Sequence, residues 1–187
     1  GRSAAAGGLI EGWAPFRRIF DILATGRRQS LMGASQIDRF GNQNISLIGD
    51  WNQPKRQLIG VRGAPGNTVN HRVDYWVSNH STRVFVEKVD MVSGVGNDRA
   101  AAGGRAMRFH HLGVIVTNLA VLGYGDDGTV IVKSVHPGID PAAVEAATGF
   151  PVDASQAPAT RIPDAEELRL IRDVLDPRGA RSREVPN

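Results

Sequence analysis

Cysteine is absent from the 187 residues, which excludes disulfides, thiolate metal sites and a cysteine nucleophile and is compatible with the cytosol. Long apolar runs are missing too. No stretch approaches the roughly 20 residues needed to cross a bilayer, so no membrane span is expected. Aromatic residues make up only 6% of the chain and the basic residues are not interleaved with them, an arrangement that argues against nucleic acid as a partner. Neither sign of charge dominates: 22 Lys plus Arg stand against 19 Asp plus Glu, a net +3. Nearly all of the basic residues are arginine. Arg17, Arg18, Arg27 and Arg28 form two pairs, and Arg178, Arg181 and Arg183 another cluster. A solvated basic face is the plain reading; a patch for a cofactor phosphate is the sharper one, because guanidinium grips phosphate through two parallel hydrogen bonds. Length and a 41% hydrophobic fraction fit one soluble domain better than two.

Familiar catalytic signatures are also missing. His110-His111 and His136-Pro137 lack further histidines or carboxylates at ligand spacing, so no metal is expected. Neither Gly60-Val61-Arg62-Gly63 nor Gly94-Val95-Gly96 completes a GxGxxG between a strand and a helix, which removes a nicotinamide dinucleotide. Ser35, Ser46 and His71 stand outside any GxSxG elbow.

What is present is a concentration of Gly, Asn, Gln and Ser in two segments, Met32 to Ser46 and Leu58 to His71. Such amides do no acid-base chemistry, but their paired donors and acceptors orient polar ligands. Around them the periodicity implies alternating elements. Glu11 to Ala24 reads as a helix with Trp13, Phe16, Phe20 and Leu23 on one face, closed by Gly26. Gln29 to Ala34 and Gln57 to Val61 read as buried strands, and Pro65 to Arg72 as a helix with proline in its first turn. The alternation of Arg83 to Val89 predicts a strand, and the glycine-rich residues 93 to 106 a mobile loop. Val114 to Leu122 and Thr129 to Val135 flank a hairpin turn at Gly123 to Gly128. Asp140-Pro141 opens a helix ending at Gly149, residues 153–163 form a linker, and the Asp164/Glu167 capping box begins a last helix over 164–176, stopped by Pro177. The sum is a single α/β domain, an open sheet with flanking helices and a late β-hairpin. The small-residue lead, residues 1–9, lacks a signal-peptide core, and the chain is expected to begin inside a longer protein, N-terminally truncated.

The ordered blocks GASQIDRFGNQN, GVRGAPGN, RVFVEKVD, VTNLAVL and SVHPGIDPAAVEAATGF, spread over Ile10 to Phe150, resemble the β subunit of the family I coenzyme A transferases. The pattern is most similar to the actinobacterial branch that opens steroid rings, through IEGW at Ile10 to Trp13, Arg39 to Asn44, Gly60 to His71 and Val135 to Gly138, and through the C-terminal Glu166 to Val185. The resemblance implies a CoA-transferase-like fold, an α subunit as partner, coenzyme A as part of the substrate with no tightly bound cofactor, and an active site between the subunits. One face is then expected to be apolar and buried against α. The family's transferases attack the acyl-CoA with a glutamate in an ENG motif; that string is absent here, and its place falls before Gly1. Glu11 and Glu87 are not substitutes, the first reading as a helix-opening residue and the second as half of an exposed pair with Lys88. The steroid branch is understood to use water instead, with its acid-base glutamate on α.

Hydrolysis needs a carboxylate, oxyanion donors and an anchor for CoA. This chain is expected to supply the donors: Arg62, Gly63 and Asn67 at the reacting end, with Gln36, Asn42, Asn44, Ala64 and Gly66 on the substrate or its pantetheine arm. His71 reads as a residue that orients a loop. CoA transfer between carboxylic acids is the alternative within the family. A noncatalytic module binding CoA or a sugar phosphate is the alternative outside it.

Overall fold

Alternation of β-branched and aromatic residues in Arg72–Val77 (RVDYWV) and His111–Thr117 (HLGVIVT) builds the centre of the molecule, two strands whose Val73, Tyr75, Val77, Leu112 and Ile115 are buried. The computed structural model describes Trp13 and residues 15–183; the lead at residues 1–9, Glu11 and the last four residues lie outside them. Nine strands are present among the described residues: β1 (Gln29–Met32), β2 (Gln36–Ile37), β3 (Gln43–Asn44), β4 (Leu47–Gly49), β5 (Pro54–Gln57), β6 (Arg72–Val77), β7 (His111–Thr117), β8 (Ala120–Tyr124) and β9 (Val130–Val135). The main sheet runs β1-β6-β7-β8-β9, parallel across the first three strands and antiparallel thereafter, while β2-β3 and β4-β5 form small ladders beside it. Helices α1 (Arg18–Leu23), α2 (Ala64–Asn70), α3 (Asn97–Ala102), α4 (Pro141–Ala146) and α5 (Ala165–Arg169) intervene, the last continuing as a wider π-helical stretch over Leu170–Leu175. This is the mixed α/β architecture with a late hairpin that the sequence implies.

Ile37, Tyr75, Phe85, Ile115 and Leu122 are fully buried in one cluster that α4 joins through Val144. Each such side chain contributes about 1.5–3 kcal/mol over its exposed state. Close packing also fixes a glycine: a Cβ at Gly113 would collide with Asp74 Oδ1, because that carboxylate reaches under β7 to accept from Val114 N at 2.8 Å.

Four expectations need correction. Residues 57–61 are no buried strand: the backbone follows Ile45-Ser46 through Leu58 N to Ser46 O and Gly60 N to Ile45 O, then Gly60 turns at φ +97° and Ile59 is 77% exposed. Arg83 to Val89 makes one bridge, Phe85 with Ile37, rather than a strand. Phe85, Glu87 and Val89 would share one face of a strand, yet Glu87 between the two buried residues is exposed. The supposed mobile loop at 93–106 contains α3 and a 3₁₀ turn at Gly104–Met107. Val114 to Leu122 is two strands, because Thr117 Oγ1 accepts from both Leu119 N and Ala120 N and closes a tight turn. The sequence reading also passed over β6, hidden behind the helix signal of α2.

The two anticipated helix starts have their caps. Asp140 accepts from Ala142 N, and Asp164 and Glu167 form a reciprocal capping box. Residues 153–163 run along the open edge of β9, where Ala159 pairs with Val135 and Thr160 N donates to its carbonyl. The aromatic face of the first helix is exposed rather than packed inward, with Phe16 at 75% and Phe20 at 51%. Leu31 on β1, 70% exposed, and Ile59 are further large apolar side chains at the surface.

Candidate functional site

Two hydrophilic segments meet at the end of β1. After Met32 the chain passes through Gly33, Ala34 and Ser35 into β2, and the β4-β5 ladder brings Leu58 to Arg62 alongside. Between them lies a depression of about 470 Å³ lined by Gly33 to Ser35, Ile45, Leu58 to Gly60 and Arg62. It shares Ser35 and Leu58 with a neighbouring depression of about 560 Å³, which adds Gln36, Ile48, Arg56, Arg83, Val84 and Val86. Together they form an open groove with an apolar floor and arginines at the rim. Among the described residues, no carboxylate or imidazole lines it.

Arg62 carries the sole positive φ of a non-glycine residue among the described residues, +47°, and its side chain is exposed. A left-handed conformation costs an L residue about 1–2 kcal/mol, so the local structure holds this guanidinium at the mouth of α2 against a penalty. The donors beside it are fewer than the sequence suggests. Ala64 N donates to Val61 O, Pro65 has no N–H, and Asn67 N donates to Gly63 O. The N–H groups of Gly63 and Gly66 have no backbone acceptor among the described residues. Space beside Gly66 is open, with nothing within 4 Å of a Cβ there. Ala64, fully buried, contributes packing and no contact for a ligand. With seven residues, α2 adds little macrodipole of its own.

Asn67 turns inward. Its Nδ2 lies 3.3 Å from the sulfur of Met32 and its Oδ1 3.2 Å from Nε2 of His71. His71 is 1% exposed, and its Nδ1 sits 2.9 Å from the Arg72 carbonyl. Both ring nitrogens are occupied, so this histidine orients the loop and the following strand.

The amides of Gln36, Asn42 and Asn44 are consumed by the fold. Gln36 donates to Asp90 at 3.0 Å and accepts from Asn44 at 2.7 Å. Asn44 Nδ2 also donates to Leu47 O, while its Oδ1 accepts from Ser46 N. Asn42 donates to Asp38 and to Asp98 and accepts from Gly96 N at 2.8 Å. The GNQN segment is therefore a buried polar scaffold that ties β2-β3 to α3, and its amides are not offered to the groove. Asp38, nearly enclosed, has its carboxyl pushed up by burial despite accepting from Phe40 N, Asn42 N and the Asn42 side chain.

Glu87 lies 4.0 Å from Arg39 on the surface, paired with an arginine rather than with Lys88. His110 and His136 are structural. The first bridges Thr68 O and Asn97 Oδ1, and the second Thr160 Oγ1 and Thr117 O. The described residues contain no group of three His, Asp or Glu side chains arranged to hold a metal. Among them, no helix is long and apolar enough to cross a membrane. Sequence reasoning missed Arg56 and Arg83 as groove residues: one stands on a hairpin and the other in an irregular segment, and only folding brings them together.

No protein-family model matches the chain. It is 54% identical over 178 residues to the cholesterol ring-cleaving hydrolase IpdB subunit of Rhodococcus jostii, covering 94% of this chain and 70% of that protein. The solved structure of Rhodococcus jostii IpdAB superposes with a TM-score of 0.91 over 95% of this chain and 73% of the other. Glutaconate coenzyme A-transferase of Acidaminococcus fermentans is more distant. One of its subunits is 30% identical over 79% of this chain and 57% of its own length; the solved structure of that enzyme, at 27% identity, has a TM-score of 0.78 over 89% and 68%. Fold and sequence similarity thus define a subunit of the coenzyme A-transferase type. Within that class, the chain belongs to the family of IpdB subunits.

Proposed function

We propose that this chain is the β subunit of a two-subunit enzyme that opens a steroid-derived ring in a CoA thioester by hydrolysis. Its cysteine-free composition suits the cytoplasm, and the whole chain serves as one CoA-transferase β-subunit-like domain. The identity to the Rhodococcus subunit over 94% of the chain carries the reading. The site chemistry is consistent with it. Attack of water on a ring ketone generates an oxyanion, and cleavage of the adjacent carbon–carbon bond releases a carboxylate and a carbanion that must be protonated. The Arg62 guanidinium at the groove serves as an oxyanion donor, joined by the N–H groups of Gly63 and Gly66, which follow it in the chain and have no backbone acceptor among the described residues. Asn67 acts from behind, setting the angle of the Gly63 bend. No acid or base among the described residues lines the groove; in this reading the proton-transferring carboxylate comes from the α partner, and the thioester lies between the two subunits.

The test is to incubate the purified complex with a cyclic-diketone CoA thioester in water enriched in ¹⁸O. Hydrolysis places one solvent oxygen in the new carboxylate, with the CoA thioester intact. Transfer of CoA to an added carboxylic acid without ring opening would establish the transferase alternative instead.

A further inference from the structure

Gln43 is fully buried, yet only one end of its side-chain amide is bonded. Its backbone is clamped to the following segment, with Gln43 N donating to Gly94 O at 2.9 Å and Ser93 N to Gln43 O at 2.7 Å. The side chain reaches across to the end of β1, where Nε2 donates to the Gly33 carbonyl at 2.5 Å. A carbonyl only accepts, so this contact fixes which way round the amide lies. Oε1 is left beside Gly94, where a Cβ would stand 2.8 Å from it, and has no hydrogen-bond partner among the described residues. An orphaned buried acceptor is costly. Gly33 itself is exposed, so water would satisfy its carbonyl without any help from Gln43. Stability alone favours an apolar side chain at position 43; the orientation of the Gly33–Ala34 peptide favours the amide.

A planar trans peptide sets its C=O and N–H in opposite directions. With the Gly33 oxygen held toward Gln43, the N–H of Ala34 points away from the buried amide, and it has no backbone acceptor among the described residues. Ser35 spends its own N–H on Asn44 O. Ala34 lines the groove together with Leu58 to Gly60 and Arg62, and space beside Gly33 is open, the nearest atom to a Cβ there being Trp76 O at 3.9 Å.

We propose that the Ala34 N–H is a further oxyanion donor of the groove, serving the enolate that ring cleavage releases, and that Gln43 is the positioning residue that aims it. The inference rests on reading the groove as the thioester site. Hydrolytic ring opening develops negative charge on two oxygens in turn. Water, giving a proton to the base, bonds to the attacked ketone carbon, and the C=O pair moves onto that oxygen, where Arg62 meets it. Re-formation of the C=O expels the ring carbon–carbon pair, which passes through the neighbouring carbon onto the oxygen of a second carbonyl as an enolate. The proton taken from water returns to that carbon, and the new acid ionises. One water is consumed and nothing is oxidised or reduced. The two oxygens belong to different carbonyls, and the two walls of the groove offer a donor to each.

The experiment titrates a hydroxybenzoyl thioester of CoA bound to the intact two-subunit complex. Water cannot open its aromatic ring, and its phenolate stands in for the enolate and absorbs apart from the phenol. Gln43→Met, similar in length but without the donor, should lower the ionisation constant of the bound phenol about 10- to 100-fold, as loss of a hydrogen bond to a charged acceptor warrants. Replacing Ala34 by lactate, which exchanges its N–H for an ester oxygen and leaves Gln43 in place, should do the same. Both changes together should do no more than either alone. The methoxybenzoyl thioester, which forms no oxyanion, should bind all of these proteins alike, which also shows that they are folded. An unchanged ionisation constant in either variant overturns the proposal. So do additive shifts, because Gln43 would then act elsewhere than on the Ala34 peptide, and so does weaker binding of both thioesters without a change in ionisation. A wild-type complex that binds neither thioester would overturn the functional reading itself, a result distinct from binding without a shift.

Discussion

His71 and Asn67 meet across one turn of α2, with Nε2 of the imidazole 3.2 Å from Oδ1 of the amide. The other ring nitrogen lies 2.9 Å from the Arg72 carbonyl, so the imidazole bridges the Asn67 amide and the backbone of the following strand. The pair joins the loop that carries Arg62 and Gly63 to the first residue of β6. A double-mutant cycle of His71→Ala and Asn67→Ala should return a coupling of about 0.5–3 kcal/mol, the range for residues in direct contact. Additive losses in the denaturation midpoint would show that the two act separately.

Arg62 separates stability from activity. Glycine adopts a φ of +47° without the steric penalty of an L residue, so Arg62→Gly should relieve up to about 1–2 kcal/mol of strain, less the extra chain entropy of glycine. Turnover of the complex should nevertheless fall roughly 10²- to 10³-fold, the usual consequence of removing one oxyanion donor. Arg62→Ala should show the same kinetic loss without the gain in stability. A glycine variant with normal turnover would make the guanidinium a bystander.

The order of elements was legible where local chemistry decides it. The Asp140 and Asp164 caps, the Gly123–Gly128 turn and the proline of α2 all act within a few residues of where they stand. The amides of Gln36, Asn42 and Asn44 were legible as unusual, but their role was not. The partners of Gln36 and Asn42, namely Asp90, Asp98 and Gly96 N, lie 54 to 56 residues away, and no spacing rule announces such bonds. Arg83 to Val89 failed for the opposite reason. Its composition favours a strand, yet Phe85 is required against His80 and Phe150, and core packing overrode the two-residue period. Arg62 stood out through its surrounding glycines; its strained backbone did not.

Asn42 is the joint most exposed to failure by substitution. It is 2% exposed and bonds two carboxylates and one backbone N–H. Asn42→Ala would leave Gly96 N without its acceptor and remove a donor shared by Asp38 and Asp98, at a cost of about 2–4 kcal/mol. The adjoining glycine cannot absorb the change, since a Cβ on Gly96 would stand 2.5 Å from Phe40 O. Thermal denaturation of the variant should show the loss; an unchanged midpoint would mean that water replaces the amide in full.

Acid should weaken the fold through His80. Burial against Phe85, with Thr117 and Thr148 hydroxyls at 3.1 and 3.0 Å from its ring nitrogens, lowers its pKa from 6.5 to about 4. The unfolded chain therefore takes up a proton near pH 6.5 that the folded chain resists until about 4. Stability from this residue is intact above about pH 7, declines as pH falls through that window, and has lost about 3 kcal/mol at its lower end. Asp74 acts lower down. Burial opposes its ionisation, but hydrogen bonds from Arg72, Val114 N and Gln29 outweigh that and hold its carboxyl below the usual range, so its contribution disappears only under stronger acid. Urea midpoints between about pH 7.5 and 4.5 should slope downward for wild type. His80→Gln, an uncharged amide that can still bond one of the two threonines, should flatten that slope whatever its absolute stability. A persisting slope in this variant would assign the acid sensitivity to another group.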